Sequence, residues 1–359
     1  MQKEIRVDAG HPYPLGVYRE ADGIHVSMIA TGKRCGILLF DQNKKKIGHV
    51  ELSLASRMGK LCYGKIDGKS NEVLKAVLDS KEPLLYQLYA DDEIIFDMHM
   101  KVYQGHEKFG VAVEAKEIFG VLHEKCFDWE DDSCPRIPYE ECAIYCMHVR
   151  GFTKHSSSSV KGKGTFEGII EKIPYLEQLG ITTLELMPIY ELHEAGRKRK
   201  QNTTTGLKMP ISTASERTSQ EMLISVSNDM HSKDKVNYWG YETGFYYAPR
   251  NAYAMSGNGD FEFRKLVKEL HKKRMEVVLQ FYFPKNVLQS EILSILRYWK
   301  EEYHVDGFHI KGENIPHLMI GQEPGLADTK LFYDDCPMEQ IYEPQEHPAV
   351  RNLAGYRDE

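Results

Sequence analysis

The chain has 359 residues, 42% hydrophobic and 28% charged, with 28 Gly and 15 Pro, a globular composition long enough for two or three domains and unlike a disordered or fibrous chain. Fifty-three acidic residues against 46 basic give a formal charge of -7, which argues against nucleic acid or a membrane surface as a partner. Seven cysteines, odd in number and irregularly spaced, and the lack of a signal-like segment over Met1–Gly10 point to a reducing cytoplasm; no apolar run reaches the roughly 18 residues that cross a bilayer.

The first ~120 residues read as short β-rich stretches, Gly23–Ala30, Cys35–Phe40, Leu84–Tyr89, Glu93–Tyr103 and Val111–Val113, with turn chemistry at Ala21-Asp22-Gly23, Asp41-Gln42-Asn43, Asp67-Gly68 and Asp91-Asp92. One helix, Asn71–Ser80, interrupts them. A β-sandwich over residues 1–125 and a linker over 126–140 are expected, with Asp131, Asp132 and Asp335 as solvated charges. Cys142 and Cys146, four apart with no His cluster, read as buried thiols rather than zinc ligands.

From 141 to 359 strands and helices alternate. The strands are Ala143–Val149, Ile181–Ile189, Glu276–Phe283, Val305–Ile310 and Lys330–Tyr333. Between them lie a helix through Phe166, Ile169, Ile173 and Leu176 behind Thr165, one capped by Asp260, and one from Ser290 through Trp299. Apolar strands joined by helices pair in parallel, as an open doubly wound sheet or a (β/α) barrel, and no Gly-rich phosphate loop follows any of them. A barrel places its chemistry at the carboxyl ends of the strands. A polar insertion, 193–235, precedes the aromatic run Asn237-Tyr238-Trp239-Gly240-Tyr241, which reads equally as a cap on the barrel mouth or as a platform for sugar faces.

These residues carry a family resemblance. Gly10-His11-Pro12-Tyr13-Pro14-Leu15-Gly16-Val17 resembles the entry to a family 48 carbohydrate-binding module. His148-Val149-Arg150-Gly151-Phe152-Thr153, Gly162 to Phe166 through Leu176 to Thr182, Asn237 to Tyr241, and Tyr298-Trp299 through Tyr303 to Phe308 resemble the α-amylase superfamily, glycoside hydrolase family 13, in its glycogen-debranching, isoamylase and pullulanase group. The resemblance implies an N-terminal β-sandwich followed by a truncated (β/α)8 TIM-barrel-like domain, about five strands of which are present. It also implies an α-glucan partner such as glycogen, a starch-like polymer or a maltooligosaccharide, and no cofactor. Some relatives bind calcium, but no spaced Asp/Asn loop specifies a metal here. Five strands do not close an eight-stranded barrel, so the chain reads either as a fragment or early-terminated product of a longer protein or as a shortened fold that covers its open sheet edges by self-association or with a partner chain.

The departures concern catalysis. Retaining hydrolysis needs a carboxylate nucleophile and a carboxylic acid about 5 Å apart. Where the family's third strand carries Asp, Asn and a substrate-binding His, this sequence has Gln280, Pro284 and Lys285. In the fourth, His309 replaces the Arg and Lys311 the nucleophile, and in the fifth Asp334 stands for the general-acid Glu. A lysine cannot form the glycosyl ester, and Glu313 lies about 7 Å further along an extended chain. Tyr238, Trp239 and Tyr241 remain as candidate substrate contacts, with Gln280 and Lys285 beside them. The expectation is a catalytically impaired debranching-type protein. The alternatives are an active α-1,6-glucan hydrolase with non-standard residues or completed by a partner, and a non-catalytic protein-interaction scaffold.

Overall fold

The computed structural model describes residues 5–53, 57–80, 82–122, 127–192 and 237–334, and the backbone of 353–355. The insertion 193–235, Cys126, Asp335, Cys336 and most of the tail after Glu343 lie outside the described residues.

The N-terminal strands run, in chain order, β1 (Val7–Asp8), β2 (Gly16–Glu20), β3 (Gly23–Ile29), β4 (Cys35–Phe40), β5 (Lys46–Glu51), β6 (Arg57–Met58), β7 (Leu61–Asp67), β8 (Leu84–Ala90), β9 (Glu93–Ile95), β10 (Tyr103–Gln104) and β11 (Phe119–Leu122). They form two antiparallel sheets, β1-β7-β3-β2 with β6 on β7, and β10-β11-β8-β4-β5 with β9 on β8. Alternation explains the layering: Cys62, Gly64 and Ile66 of β7 turn inward while their neighbours stay half-exposed. Ile24 and Val26 meet Ile37, Leu39 and Leu88 in one core. Helix α1 (Glu72–Asp79) starts where Asn71 accepts the amide N–H groups of Val73 and Leu74 at 3.0 and 3.2 Å.

Two expected strands are corrected. Glu93–Tyr103 is broken because the Asp97 carboxylate accepts the amide of His99 at 2.9 Å and the Tyr86 hydroxyl at 2.7 Å, folding the chain into a turn after Ile95. Val111–Val113 is not a strand; the carbonyl of Val111 faces the His106 ring at 2.7 Å instead of a ladder partner.

The second half is built on a parallel sheet in chain order: β12 (Ile144–Met147), β13 (Thr183–Leu186), then β16 (Glu276–Phe283), β17 (Gly307–Gly312), β18 (Lys330–Tyr333) and β19 (Leu353–Gly355). That is one strand more than expected, since β19 pairs with β18 through Leu331↔Leu353. The intervening β14 (Tyr190–Leu192) and β15 (Gly244–Pro249) form an antiparallel pair that closes the neck of the insertion. The helices are α2 (Val149–Lys154), α3 (Phe166–Ile170), α4 (Ile173–Gln178), α5 (Gly259–His271), α6 (Gln289–Tyr303) and α7 (His317–Gly321).

The expected single helix over 166–176 is divided, with Pro174 in the first turn of α4, where its missing N–H costs nothing. The cap of α5 is Asn258, which accepts from Phe261 N at 3.1 Å; Asp260 lies inside the helix and receives the Tyr303 hydroxyl at 2.8 Å. Trp299 is fully buried and donates its indole N–H to Tyr246 O at 2.7 Å, so its ring fills the core without an unpaired donor.

Sandwich and barrel halves are joined by buried polar contacts. Glu191 accepts the Tyr103 hydroxyl, faces His106 at 3.1 Å and lies 3.8 Å from Arg250. Asn251 donates to Tyr103 O at 2.9 Å. The 127–138 segment hugs the amino-terminal end of the parallel sheet, with Ile137 N donating to Glu276 at 2.8 Å. Asp132, expected to be solvated, is instead 1% exposed and bonded to His271 at 2.9 Å and His304 at 2.7 Å. Cys146, expected to be buried, is exposed.

Candidate functional site

The parallel strands alternate between two faces. Leu184, Leu186, Leu279, Phe281, Phe308 and Ile310 point into the helix-covered core, so Glu185, Gln280, His309 and Lys311 share the opposite face. Pairing register sets Cys146 beside Glu185 and Gln280 beside His309. Polar side chains from four strands therefore converge, although they come from positions 146 to 334.

They form one continuous network. Tyr241 donates its hydroxyl to Gln280, whose amide donates to Glu185 at 2.5 Å and to the Cys146 sulfur at 3.4 Å. His309 lies between two carboxylates, its Nδ1 at 2.6 Å from Glu185 and its Nε2 at 2.7 Å from Asp334. Lys311 then clamps Asp334, with Nζ donating to its oxygens at 2.7 and 2.8 Å. Burial pushes the Glu185 carboxyl up, but hydrogen bonds from His309 and Gln280 and the charge of Lys311 outweigh it, so its pKa is lowered. Asp334 follows the same balance: burial raises, while Lys311 and His309 together lower further.

A general acid needs a proton to give near neutral pH, and Lys311 and His309 hold the Asp334 carboxyl below its ordinary range. The chain position expected for the nucleophile carries a cation whose partner is the acid position itself. Glu313 is exposed beyond the end of β17, its backbone N–H tied to Phe283 O at 2.9 Å, and its side chain has no part in the network.

The aromatic run borders this network. Asn237 builds its turn by accepting from Gly240 N at 3.1 Å and donating to Glu242 at 3.0 Å, and Gly240 takes φ +85°. Tyr238 stacks on His148 with ring centroids 4.3 Å apart, and the His148 ring faces Tyr238 O at 2.7 Å and Tyr253 OH at 3.1 Å. Tyr238 is thus half-committed to packing, whereas Trp239 stands 54% exposed, edge-on to Tyr238 at 5.3 Å. The structure brings Gln280, His309, Lys311, Asp334 and Tyr241 into one network; Lys285 is exposed in the turn after β16, outside it. Glu185 was missed. Its signal was available, a single carboxylate between Leu184 and Leu186 in an otherwise apolar strand.

Comparison with known proteins agrees with this architecture. The alpha amylase catalytic domain family matches residues 150–284. The chloroplastic isoamylase 1 of Arabidopsis thaliana is 28% identical over 84% of this chain and 43% of its own length. The glycogen debranching enzyme of Dickeya chrysanthemi is 25% identical over 90% of this chain and 53% of its own. Among solved structures, the inhibitor-bound catalytic module of the pneumococcal glycogen-degrading protein SpuA aligns with TM-score 0.61 at 18% identity, covering 91% of this chain and 51% of that one. The group B Streptococcus pullulanase SAP with maltotetraose gives TM-score 0.60 at 18% identity, covering 90% and 46%. The structural likeness shows a shared fold; the chain spans about half the length of the relatives it matches. Over residues 150–284 the chain is thus similar to the alpha amylase catalytic domain, and the relatives it resembles in sequence are isoamylases and a glycogen debranching enzyme.

Proposed function

We propose that this chain is an α-glucan-binding member of the debranching group whose hydrolytic machinery is lost. One observation carries the reading: Lys311 stands at the nucleophile position and holds Asp334, at the acid position, in a two-pronged ion pair. A cation there opposes the positive charge that develops on the sugar ring, and it keeps the acid ionised. The sugar contacts assigned are Trp239, Tyr238 and Tyr241, with Gln280 as polar partner, on the support of the exposed Trp239 indole and of relatives named for glycogen, isoamylase and pullulanase activity. The N-terminal sandwich, resembling a family 48 module, enters as a companion packed on the barrel through Tyr103, Glu191 and Asn251. A cytoplasmic location belongs to the same proposal, supported by the odd, irregular set of seven cysteines. So does self-association or a partner chain over the sheet edge at β12, where Ile144 is 41% exposed.

The test is co-sedimentation with glycogen and calorimetry with maltoheptaose, wild type against Trp239→Ala. Saturable binding that falls at least 10-fold in Trp239→Ala, with no new reducing ends, supports the proposal. An intact fold with no binding to either glucan redirects the scaffold toward protein partners.

A further inference from the structure

The sandwich carries a second constellation, remote in sequence from the barrel network and independent of the glucan reading. His11 lies in the loop before β2, Glu20 ends β2, and His25 is the third residue of β3. The tight hairpin that pairs Glu20 with Gly23 returns the chain so that these three meet. One ring nitrogen of each histidine and one carboxylate oxygen of Glu20 all lie within 4.8 Å of one another.

The hydrogen bonds around the rings decide what they offer. His11 Nδ1 is 2.5 Å from Tyr13 O, and His25 Nε2 is 3.1 Å from Pro14 O. Carbonyl oxygens only accept, so these nitrogens carry the protons, and in the neutral rings the lone pairs fall on His11 Nε2 and His25 Nδ1. His11 Nε2 faces Glu20 Oε1 at 3.4 Å. His25 is 1% exposed, and its Nδ1 is buried without a hydrogen-bond partner. An acceptor shut away from water with nothing to accept is costly. The other Glu20 oxygen is held by Lys65 at 3.0 Å, and Lys65 is held in turn by Asp22 at 2.6 Å.

His25 with its outer N–H fixed on a backbone carbonyl, and Glu20 with its outer oxygen fixed on a lysine, are what oriented metal ligands require, and the exposed His11 ring turns to join them. We propose that His11, Glu20 and His25 form a site for a divalent transition metal that accepts mixed nitrogen and oxygen ligands, Zn2+ above all, with water completing the coordination. The two rings stack at 4.1 Å and 15°, so their lone pairs lie in parallel planes. Binding therefore turns His11, whose side chain is 52% exposed, onto the fixed His25 and Glu20. The metal pins the loop that precedes β2 to the β2–β3 hairpin.

The probe is Zn2+ alone, titrated by calorimetry into chelator-stripped protein, with thermal unfolding followed in parallel. Thiols compete for Zn2+, so wild type is compared with His11→Gln and Glu20→Gln, which leave every cysteine in place and alter side chains that reach solvent. The expected result is one equivalent bound in the tightest class, weakened at least 10-fold in both variants. The Zn2+-induced rise in Tm should be lost in both, while each variant keeps the metal-free circular dichroism spectrum of wild type. A tight equivalent unchanged in both variants, or no binding at 1:1 stoichiometry, overturns the proposal.

Discussion

Asp334 joins His309 and Lys311 in the polar network. Its side chain is 48% exposed, so removing its clamp with Lys311→Met costs under about 1 kcal/mol of stability, and the carboxyl pKa rises toward its ordinary value. Carboxyl-detected NMR titration of wild type and variant measures that rise; an unchanged pKa would mean that the ion pair does not hold Asp334 ionised. His271 is the opposite case. Burial lowers its pKa, but Asp306 at 2.9 Å and Asp132 on its other nitrogen raise it by more, above the ordinary 6.5. A raised folded pKa gives stability that is complete below about pH 6.5 and lost as pH rises through the folded value. Denaturation midpoints should therefore decline on the alkaline side in wild type, and more shallowly in His271→Gln. Glu185 and Asp334, both lowered, act in the other direction, adding stability above their ordinary carboxylate range that is lost as pH falls through their folded values.

Among the elements, the turn holding the aromatic run is constrained at its glycine. Gly240 has φ +85°, and a Cβ placed there meets the Pro188 side chain at 3.2 Å. Gly240→Ala should cost about 1–2 kcal/mol in urea unfolding and weaken glucan binding together with it; a variant as stable as wild type would contradict the turn's geometry. Elements with dense local periodicity were legible in the sequence. Glu276–Phe283 and Lys330–Tyr333 form with the bounds their apolar runs mark, and Thr165 caps α3 as its position suggests. Elements defined by distant partners were not. Gly244–Pro249 became a strand only by pairing with Tyr190–Leu192 across the insertion, and Asp132 lost its solvent to His271 and His304, 139 and 172 residues away. The shared face of Gln280, His309 and Lys311 was legible because strand position alone fixes it. Glu185 was hidden among leucines, and Lys285 was misplaced because the strand ends at Phe283 and the turn carries it outward.

At the scale of the molecule, two halves share one buried polar joint. Glu191 is fully buried between Tyr103, His106 and Arg250, so Glu191→Ala leaves buried cationic and hydroxyl groups without their anion. A loss of about 3–5 kcal/mol is expected, read by denaturant unfolding, and a loss under 1 kcal/mol would mean that the joint contributes little to the fold. The polar network in the second half centres on a two-pronged ion pair between Lys311 and Asp334, the pair on which the proposed loss of hydrolysis rests. Reducing-sugar release from pullulan and glycogen, followed with purified protein over long incubation at several pH values, tests this most directly. The account predicts no release above a heat-killed control at any pH. Clear release, abolished by Asp334→Asn, would contradict it and return Asp334 to the role of an acid.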